Sequence, residues 1–289
     1  MPADADVIAL RQSFEAGARR LRGAGDVTVE TLTTAGLNCD WLTPPAADET
    51  AVLCYLHGGG YVMGSRVTHR PMVSHIARAA GVPAAVPDYR LAPEHPFPAA
   101  LDDCCAVYRQ LLVQGLDPAR IVIGGDSAGG GLALATLLAL RDAGKPLPGA
   151  LVLLSPWLDL TGTGSRANVD PVFRANGMPR LTRHYCREEQ LATPLVSPLL
   201  AELGGLPPVL VQVGAHEILL SDATRVADRL STAGVRVTLQ VWPEMWHVFQ
   251  FFAGRMPEAT RAVRDIGAYI RHTIGAPPAA ADAAADEPA

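Results

Sequence analysis

The sequence predicts an α/β fold, with a mostly parallel sheet of eight strands covered by helices on both faces. Two observations support this prediction. From residue 51 onward, short apolar runs rich in Val, Ile and Leu alternate with helical patterns, as in parallel sheets with crossover helices. The glycine-rich and histidine-containing motifs follow the carboxyl ends of those runs. Open α/β sheets bind their ligands at that edge.

The elements follow in order along the chain. A helix is expected at 7–22, where apolar residues recur with helical spacing. Residues 27–31 and 37–41 alternate like the two strands of a hairpin around Gly36. Six further strands are expected near residues 51–57, 83–88, 120–124, 150–155, 208–214 and 236–242.

Length and composition favour one large domain. The chain has 289 residues, 49% of them hydrophobic and 18% charged, which suits a single full core over 1–275. Residues 161–193 interrupt the alternation and, with residues 1–25, are expected to form a small helical cap. The tail 276–289 contains mostly Ala, Pro and acidic residues and is expected to be disordered.

Charge and cysteine content exclude several classes of protein. The net charge is −5 and no long basic block is present, which argues against a nucleic-acid partner. No apolar run reaches the roughly 18 residues of a membrane span, and the N-terminus lacks the pattern of a signal peptide. The five cysteines lack metal-site spacing and are interpreted as free thiols. The sequence therefore predicts a cytoplasmic protein without membrane contact or a bound metal.

Ser127 is the strongest candidate for a catalytic residue. It lies in residues 125–130, Gly-Asp-Ser-Ala-Gly-Gly, directly after an apolar strand and before the apolar helical run 132–140. A serine at the tip of a tight strand-to-helix turn needs small neighbours, because the backbone there is strained. The pattern predicts a nucleophile elbow; the alternative is a serine that only caps the helix.

A second glycine-rich loop supplies the complementary chemistry. Residues 57–60 read His-Gly-Gly-Gly and follow another short apolar strand. Acyl transfer develops negative charge on a carbonyl oxygen, and backbone N–H groups free of bulky side chains can stabilise it. A phosphate-binding loop is the alternative, but the chain has neither G-x-x-x-x-G-K-[ST] nor G-x-G-x-x-G.

These motifs, together with Asp-Tyr-Arg-Leu-Ala-Pro-Glu at 88–94, resemble the hormone-sensitive-lipase-like branch of the α/β-hydrolases, the bacterial family IV carboxylesterases. The resemblance runs from about residue 27 to 275. It implies the α/β-hydrolase fold, a capped serine hydrolase of small-molecule esters, and no metal or organic cofactor. Relatives often dimerise through the last strand and helix, so a homodimer remains open. The oxyanion donors that the resemblance implies are the amides of Gly59, Gly60 and Ala128.

In this fold the acid and the histidine follow the serine in that order. Glu217, just after the strand near 208–214, is the predicted acid, although the family usually has aspartate there; Asp222 and Asp159 are the alternatives. Asp222 is explained equally well as part of a helix N-cap. His247 is the predicted base because it lies between the last strand and the last helix, with His216 as a minor rival.

Further residues are assigned supporting roles. Asp126 and residues 88–94 are expected to brace the elbow and the oxyanion loop; the alternative is that they are simple hydrogen-bond partners in the core. His57 is expected to shape that loop through hydrogen bonds. The candidates for lining the substrate pocket are Tyr61, Phe173, Met178 and Trp246, together with Val172, Leu181 and Tyr185 of the predicted cap, although each cap residue could instead pack the cap onto the core.

The expected activity is hydrolysis of short- to medium-chain acyl esters through an acyl-enzyme. The alternatives on the same three residues are a lactone or amide hydrolase, or an acetyl hydrolase of a secondary metabolite. From another class, a non-catalytic receptor on the same fold is the remaining alternative.

Overall fold

The computed structural model describes residues 3–164, 170 and 177–277. The pocket candidates Val172 and Phe173 and the predicted tail from residue 278 lie outside these residues. The eight strands are β1 Thr28–Thr34, β2 Leu37–Thr43, β3 Val52–Leu56, β4 Ala84–Pro87, β5 Ile121–Asp126, β6 Ala150–Leu154, β7 Val209–Gly214 and β8 Val237–Trp242. The α-helices are α1 Ala3–Ala18, α2 Arg66–Ala80, α3 Ala99–Val113, α4 Ala128–Asp142, α5 Met178–Tyr185, α6 Leu220–Thr232 and α7 Pro257–Ile274.

All eight strands form one sheet in the order β1-β2-β4-β3-β5-β6-β7-β8. The pairs β1–β2 and β2–β4 are antiparallel, and the other neighbours are parallel. The predicted mostly parallel, eight-stranded α/β fold is therefore confirmed. The carboxyl ends of β5, β6 and β7 meet at one edge, which brings motifs far apart in sequence together.

The five central strands, β3 to β7, are buried along their whole length. Strands covered on both faces have continuous apolar runs instead of alternating ones, which is why the sequence located them closely. β8 lies at the edge of the sheet, and its Leu239 and Val241 are partly exposed.

The first helix and the hairpin differ in extent from the prediction. α1 spans Ala3–Ala18 instead of 7–22. Arginines at 19, 20 and 22 follow it, and like charges one turn apart disfavour further helix. Both hairpin strands are longer than predicted and pair from Thr34 with Leu37 outward. Positive φ angles at Ala35 and Gly36 form the tight turn between them.

All five cysteines are buried and free, as predicted. Within the described part of the chain, no helix is both long and apolar enough to cross a membrane.

Candidate active site

Ser127 lies at the tip of the turn between β5 and α4, with φ 53° and ψ −123°. Such backbone strain costs a non-glycine residue about 1–3 kcal/mol and is typical of functional sites. The turn passes so close to β3 that a Cβ at Gly129 would lie 2.1 Å from the carbonyl oxygen of Leu56. The Ser127 side chain makes no capping hydrogen bond to α4. The structure therefore favours the elbow over the helix-cap alternative.

Three side chains from three loops meet at this turn. The Nε2 of His247 lies 3.0 Å from the Oγ of Ser127, and its Nδ1 lies 3.4 Å from Oε1 of Glu217. Glu217 follows β7, and His247 lies between β8 and the short 3₁₀ helix Phe249–Phe252. This is the geometry in which a histidine accepts the serine proton while a carboxylate orients the ring.

The second oxygen of Glu217 is held by two donors. Oε2 accepts hydrogen bonds from the Ser155 hydroxyl at 2.7 Å and from the Gly214 amide at 2.8 Å. The Ser155 Oγ in turn accepts one from the amide of Val248 at 3.1 Å. Ser155 is fully buried and connects the carboxylate to the loop that carries the histidine. Both donors fix the orientation of Glu217, so only Oε1 faces the imidazole.

The two alternative acids lie elsewhere. Oδ2 of Asp222 accepts hydrogen bonds from the amides of Leu158 and Asp159. Oδ1 of Asp159 accepts a hydrogen bond from the amide of Thr161. Asp222 is inside the first turn of α6, whose N-cap is Leu219. The N-cap explanation of Asp222 was therefore wrong: its carboxylate holds the chain after β6. The minor rival His216 is exposed.

The environment of His247 favours its charged form. Burial opposes the charge, but the hydrogen bond to Glu217 and the negative charges of Glu217, Asp170 and Asp126 outweigh it and raise the pKa of His247. A base with a raised pKa takes up the serine proton more readily. The same negative charges stabilise the imidazolium that forms.

The loop after β3 presents backbone amides next to Ser127. Gly59, Gly60 and Tyr61 all have positive φ angles, of 121°, 62° and 65°. A Cβ at Gly59 would lie 2.2 Å from the carbonyl oxygen of Met63, so only glycine fits there. Among the described residues, no hydrogen bond uses the N–H groups of Gly59, Gly60 or Ala128. These donors are available to a substrate oxygen.

Asp126 connects this loop to the elbow, as predicted. Its Oδ1 accepts hydrogen bonds from the Gly58 amide at 3.1 Å and from the Tyr55 hydroxyl at 3.0 Å. Oδ2 lies 3.3 Å from Nε2 of the fully buried His69. Burial opposes the charge of Asp126, but His69 and the hydrogen bonds outweigh it and lower the pKa of that carboxyl. An ionised Asp126 thus holds the two loops in register.

His57 and the segment 88–94 support the loop from behind. The Tyr89 hydroxyl donates to the carbonyl oxygen of His57 at 2.5 Å, and the two rings stack at 4.1 Å. Burial, followed by the nearby His69, lowers the pKa of His57 to about 3. His57 is therefore neutral and its Nδ1 bonds to the carbonyl oxygen of Gly58. This is the loop-shaping role predicted for it.

The candidates for the substrate pocket occupy different places. Tyr61 is buried and stacks on Tyr185 of α5 at 3.8 Å. Met178 is buried at the start of α5, and Trp246 packs edge-on against Phe252. From the same helix α5, a methyl of Leu181 lies where a Cβ on Gly60 would be only 2.6 Å away. Helix α5, which falls within the predicted cap residues 161–193, thus contacts the oxyanion loop directly through Leu181, one of the residues expected to line the pocket.

Ser155 and His69 were not predicted as site residues. Ser155 had one signal, its position at the carboxyl end of a buried strand. Within the described residues, no group of three or more His, Cys, Asp or Glu side chains could hold a metal ion.

Known proteins are similar to this chain in sequence and in fold. The model of a protein family with the alpha/beta hydrolase fold matches residues 53–251. An acetyl-hydrolase of Streptomyces hygroscopicus is 41% identical over 250 residues, 85% of this chain and 83% of the relative. An esterase of Acinetobacter venetianus is 40% identical over 228 residues, 77% and 75% of the two chains.

Solved structures agree with these relatives. An esterase from the bacterial hormone-sensitive lipase family superimposes with a TM-score of 0.89 at 44% identity, covering 95% of this chain and 99% of that one. A hormone-sensitive lipase from a metagenome library gives 0.89 at 39% identity, with 95% and 92% covered. Identity of this size over most of both chains goes well beyond a shared fold. The chain therefore belongs to the hormone-sensitive-lipase-like family of α/β-hydrolases.

Proposed function

We propose that this chain is a serine carboxylesterase that hydrolyses short- to medium-chain acyl esters. The observation that carries the proposal is the 3.0 Å contact between Ser127 Oγ and His247 Nε2, next to the amides of Gly59, Gly60 and Ala128, which make no hydrogen bond among the described residues. Relatives named esterase and acetyl-hydrolase support the same reaction class. The buried, unpaired cysteines further support a cytoplasmic location.

In the first half-reaction Ser127 attacks the ester carbonyl while His247 takes its proton. The amides of Gly59, Gly60 and Ala128 then hold the oxyanion. His247 returns the proton to the leaving alcohol, which departs and leaves the acyl group on Ser127. In the second half-reaction water attacks the acyl group with His247 again as base, and the acid is released. Glu217 keeps the ring in the required tautomer throughout.

The site is expected to prefer short acyl chains. Each buried methylene contributes about 0.8 kcal/mol while the pocket has room, so kcat/KM rises over the first carbons and then falls, with its maximum at roughly two to six acyl carbons. The fall is expected where the chain meets α5, whose Leu181 contacts Gly60. A series of p-nitrophenyl esters from acetate to palmitate measures this dependence on chain length, with the rate of Ser127→Ala subtracted as background. A maximum at dodecanoate or longer would contradict the proposal.

A second candidate is removal of acetyl groups from a secondary metabolite, which the similarity to an acetyl-hydrolase favours. The same ester series distinguishes the two candidates. A sharp maximum at acetate, with butyrate far slower, would favour the acetyl-hydrolase. Lactones and anilides added to the panel would identify a lactone or amide hydrolase.

The raised pKa of His247 predicts how activity depends on pH. Only the neutral ring can accept the serine proton, so kcat/KM should rise with pH through an inflection above the ordinary histidine value of about 6.5. Glu217 provides most of the upward shift. A pH profile of p-nitrophenyl acetate hydrolysis under kcat/KM conditions measures the inflection. An inflection well below the ordinary value would mean that burial outweighs the carboxylates.

A further inference from the structure

Arg11 connects the N-terminal helix to the backbone beside the oxyanion loop. From α1, its Nε donates to the carbonyl oxygen of Val62 at 2.7 Å and its NH2 to that of Ala92 at 3.0 Å. The same guanidinium binds both carboxylate oxygens of Glu94 at 2.7 Å. The hydrogen bond from Arg11 lowers the pKa of Glu94 to about 2. The carboxylate of Glu94 is therefore charged at neutral pH, as is the guanidinium of Arg11.

The two carbonyls belong to segments that set the shape of the loop. Val62 directly follows Gly60 and Tyr61, both held at positive φ. The amide of Ala92 donates to the carbonyl oxygen of Tyr61 at 3.0 Å. A non-glycine residue such as Tyr61 keeps a left-handed backbone only where its surroundings fix it. Arg11 binds the carbonyl oxygens of both segments that form this contact.

We propose that Arg11 is a positioning residue that fixes the oxyanion loop through the Val62 and Ala92 carbonyls and in this way raises the catalytic rate. The inference rests on the proposed hydrolysis at Ser127. Arg11 itself does not touch the reacting atoms. Its effect is on how well the Gly59 and Gly60 amides are placed for the transition state, which appears in kcat more than in KM.

α1 has apolar anchors that do not involve Arg11. Val7 is buried, and the Phe14 ring packs 5.8 Å from that of His69 and 6.4 Å from that of Phe251. Removing the guanidinium should therefore leave the helix docked. This separates a loss of loop geometry from a loss of the helix.

The test uses Arg11→Ala, Arg11→Lys and Glu94→Gln in the full chain. Arg11→Ala should lower kcat on p-nitrophenyl butyrate by about 10- to 100-fold, the range that a small misplacement of catalytic groups costs. KM should change much less. Arg11→Lys retains the charge but not the planar fork that reaches two carbonyls and a carboxylate, so its kcat should also fall. Glu94→Gln removes the ion pair but leaves the donors to both carbonyls in place, so its kcat should fall less than that of Arg11→Ala.

Chemical rescue and melting temperature decide whether Arg11 positions the oxyanion loop or only stabilises the fold. A cavity of about 340 Å³ lies beside Arg11 and Glu94, so millimolar guanidinium ion should partly restore kcat of Arg11→Ala, while equimolar sodium chloride should not. Arg19→Ala removes an exposed arginine just beyond α1 and serves as the matched control.

A lower melting temperature for Arg11→Ala and Arg11→Lys with unchanged kcat would overturn the inference and leave Arg11 a tether of the helix. Failure of the proposed function looks different. In that case the unaltered protein would hydrolyse no ester, whatever residue stands at position 11.

Discussion

Ser127→Ala is expected to lower kcat for ester hydrolysis by about four to six orders of magnitude. The loss is this large because the variant has no atom that can form the acyl-enzyme. The His247 ring 3.0 Å away then has no proton to accept from the chain. A residual rate about 10³-fold above that in water should remain, from substrate binding and the oxyanion amides.

Labelling with a fluorophosphonate tests the assignment directly. Peptide mapping should find the label on Ser127 in the native protein and nowhere in Ser127→Ala. Ser221→Ala, which removes a hydroxyl on α6 outside the site, should label and turn over normally. A label on another serine would refute the mechanism. If the chain were a receptor that binds esters without hydrolysing them, neither the native protein nor Ser221→Ala would hydrolyse the substrate.

Glu217→Gln is expected to fold normally and to lose about 10⁴-fold in kcat. The reason lies in the donors around Oε2. Because the Ser155 hydroxyl and the Gly214 amide both donate there, the amide oxygen of the variant must take that place and its NH₂ must face His247. An NH₂ at this position stabilises the ring with its proton on Nε2. That proton points at Ser127, so the ring cannot act as a base.

Steady-state kinetics and thermal unfolding of three variants measure this effect. Glu217→Asp keeps the charge on a shorter side chain and should retain more activity than Glu217→Gln. Asp222→Asn changes an acid that holds the amides of Leu158 and Asp159 and should lose far less. Normal turnover in Glu217→Gln with collapse in Asp222→Asn would transfer the orienting role to Asp222.

The parts that the sequence predicted well are those where local pattern and fold coincide. β5 and β7 are buried on both faces, so their apolar runs ended close to where the strands end. Ser127 directly follows β5. His247 lies beyond the end of the edge strand β8, and its place in the order of serine, acid and histidine along the chain left few alternatives. The bounds of α1 were less accurate; its C-terminal end at Ala18 precedes a group of arginines that the apolar spacing did not take into account.

Contacts between distant segments could not be predicted. Ser155 and Glu217 are 62 positions apart, His69 and Asp126 are 57, and Arg11 and Val62 are 51. No local periodicity encodes which polar group a buried carboxylate will meet after folding. Asp222 shows the same limit: its place near a helix start was visible, but the amides that it binds come from the chain after β6.

The contact between Gly129 and the end of β3 has a consequence for how this enzyme can diverge. The turn that carries Ser127 and the end of β3 meet backbone to backbone at Gly129 and Leu56, with no side chain between them. Side chains in a core repack when their neighbours change, whereas peptide groups in direct contact leave nothing to repack. The spacing between the nucleophile turn and the end of β3 is therefore set by the two backbones themselves, and a change in which ester is preferred has to come from side chains outside this contact.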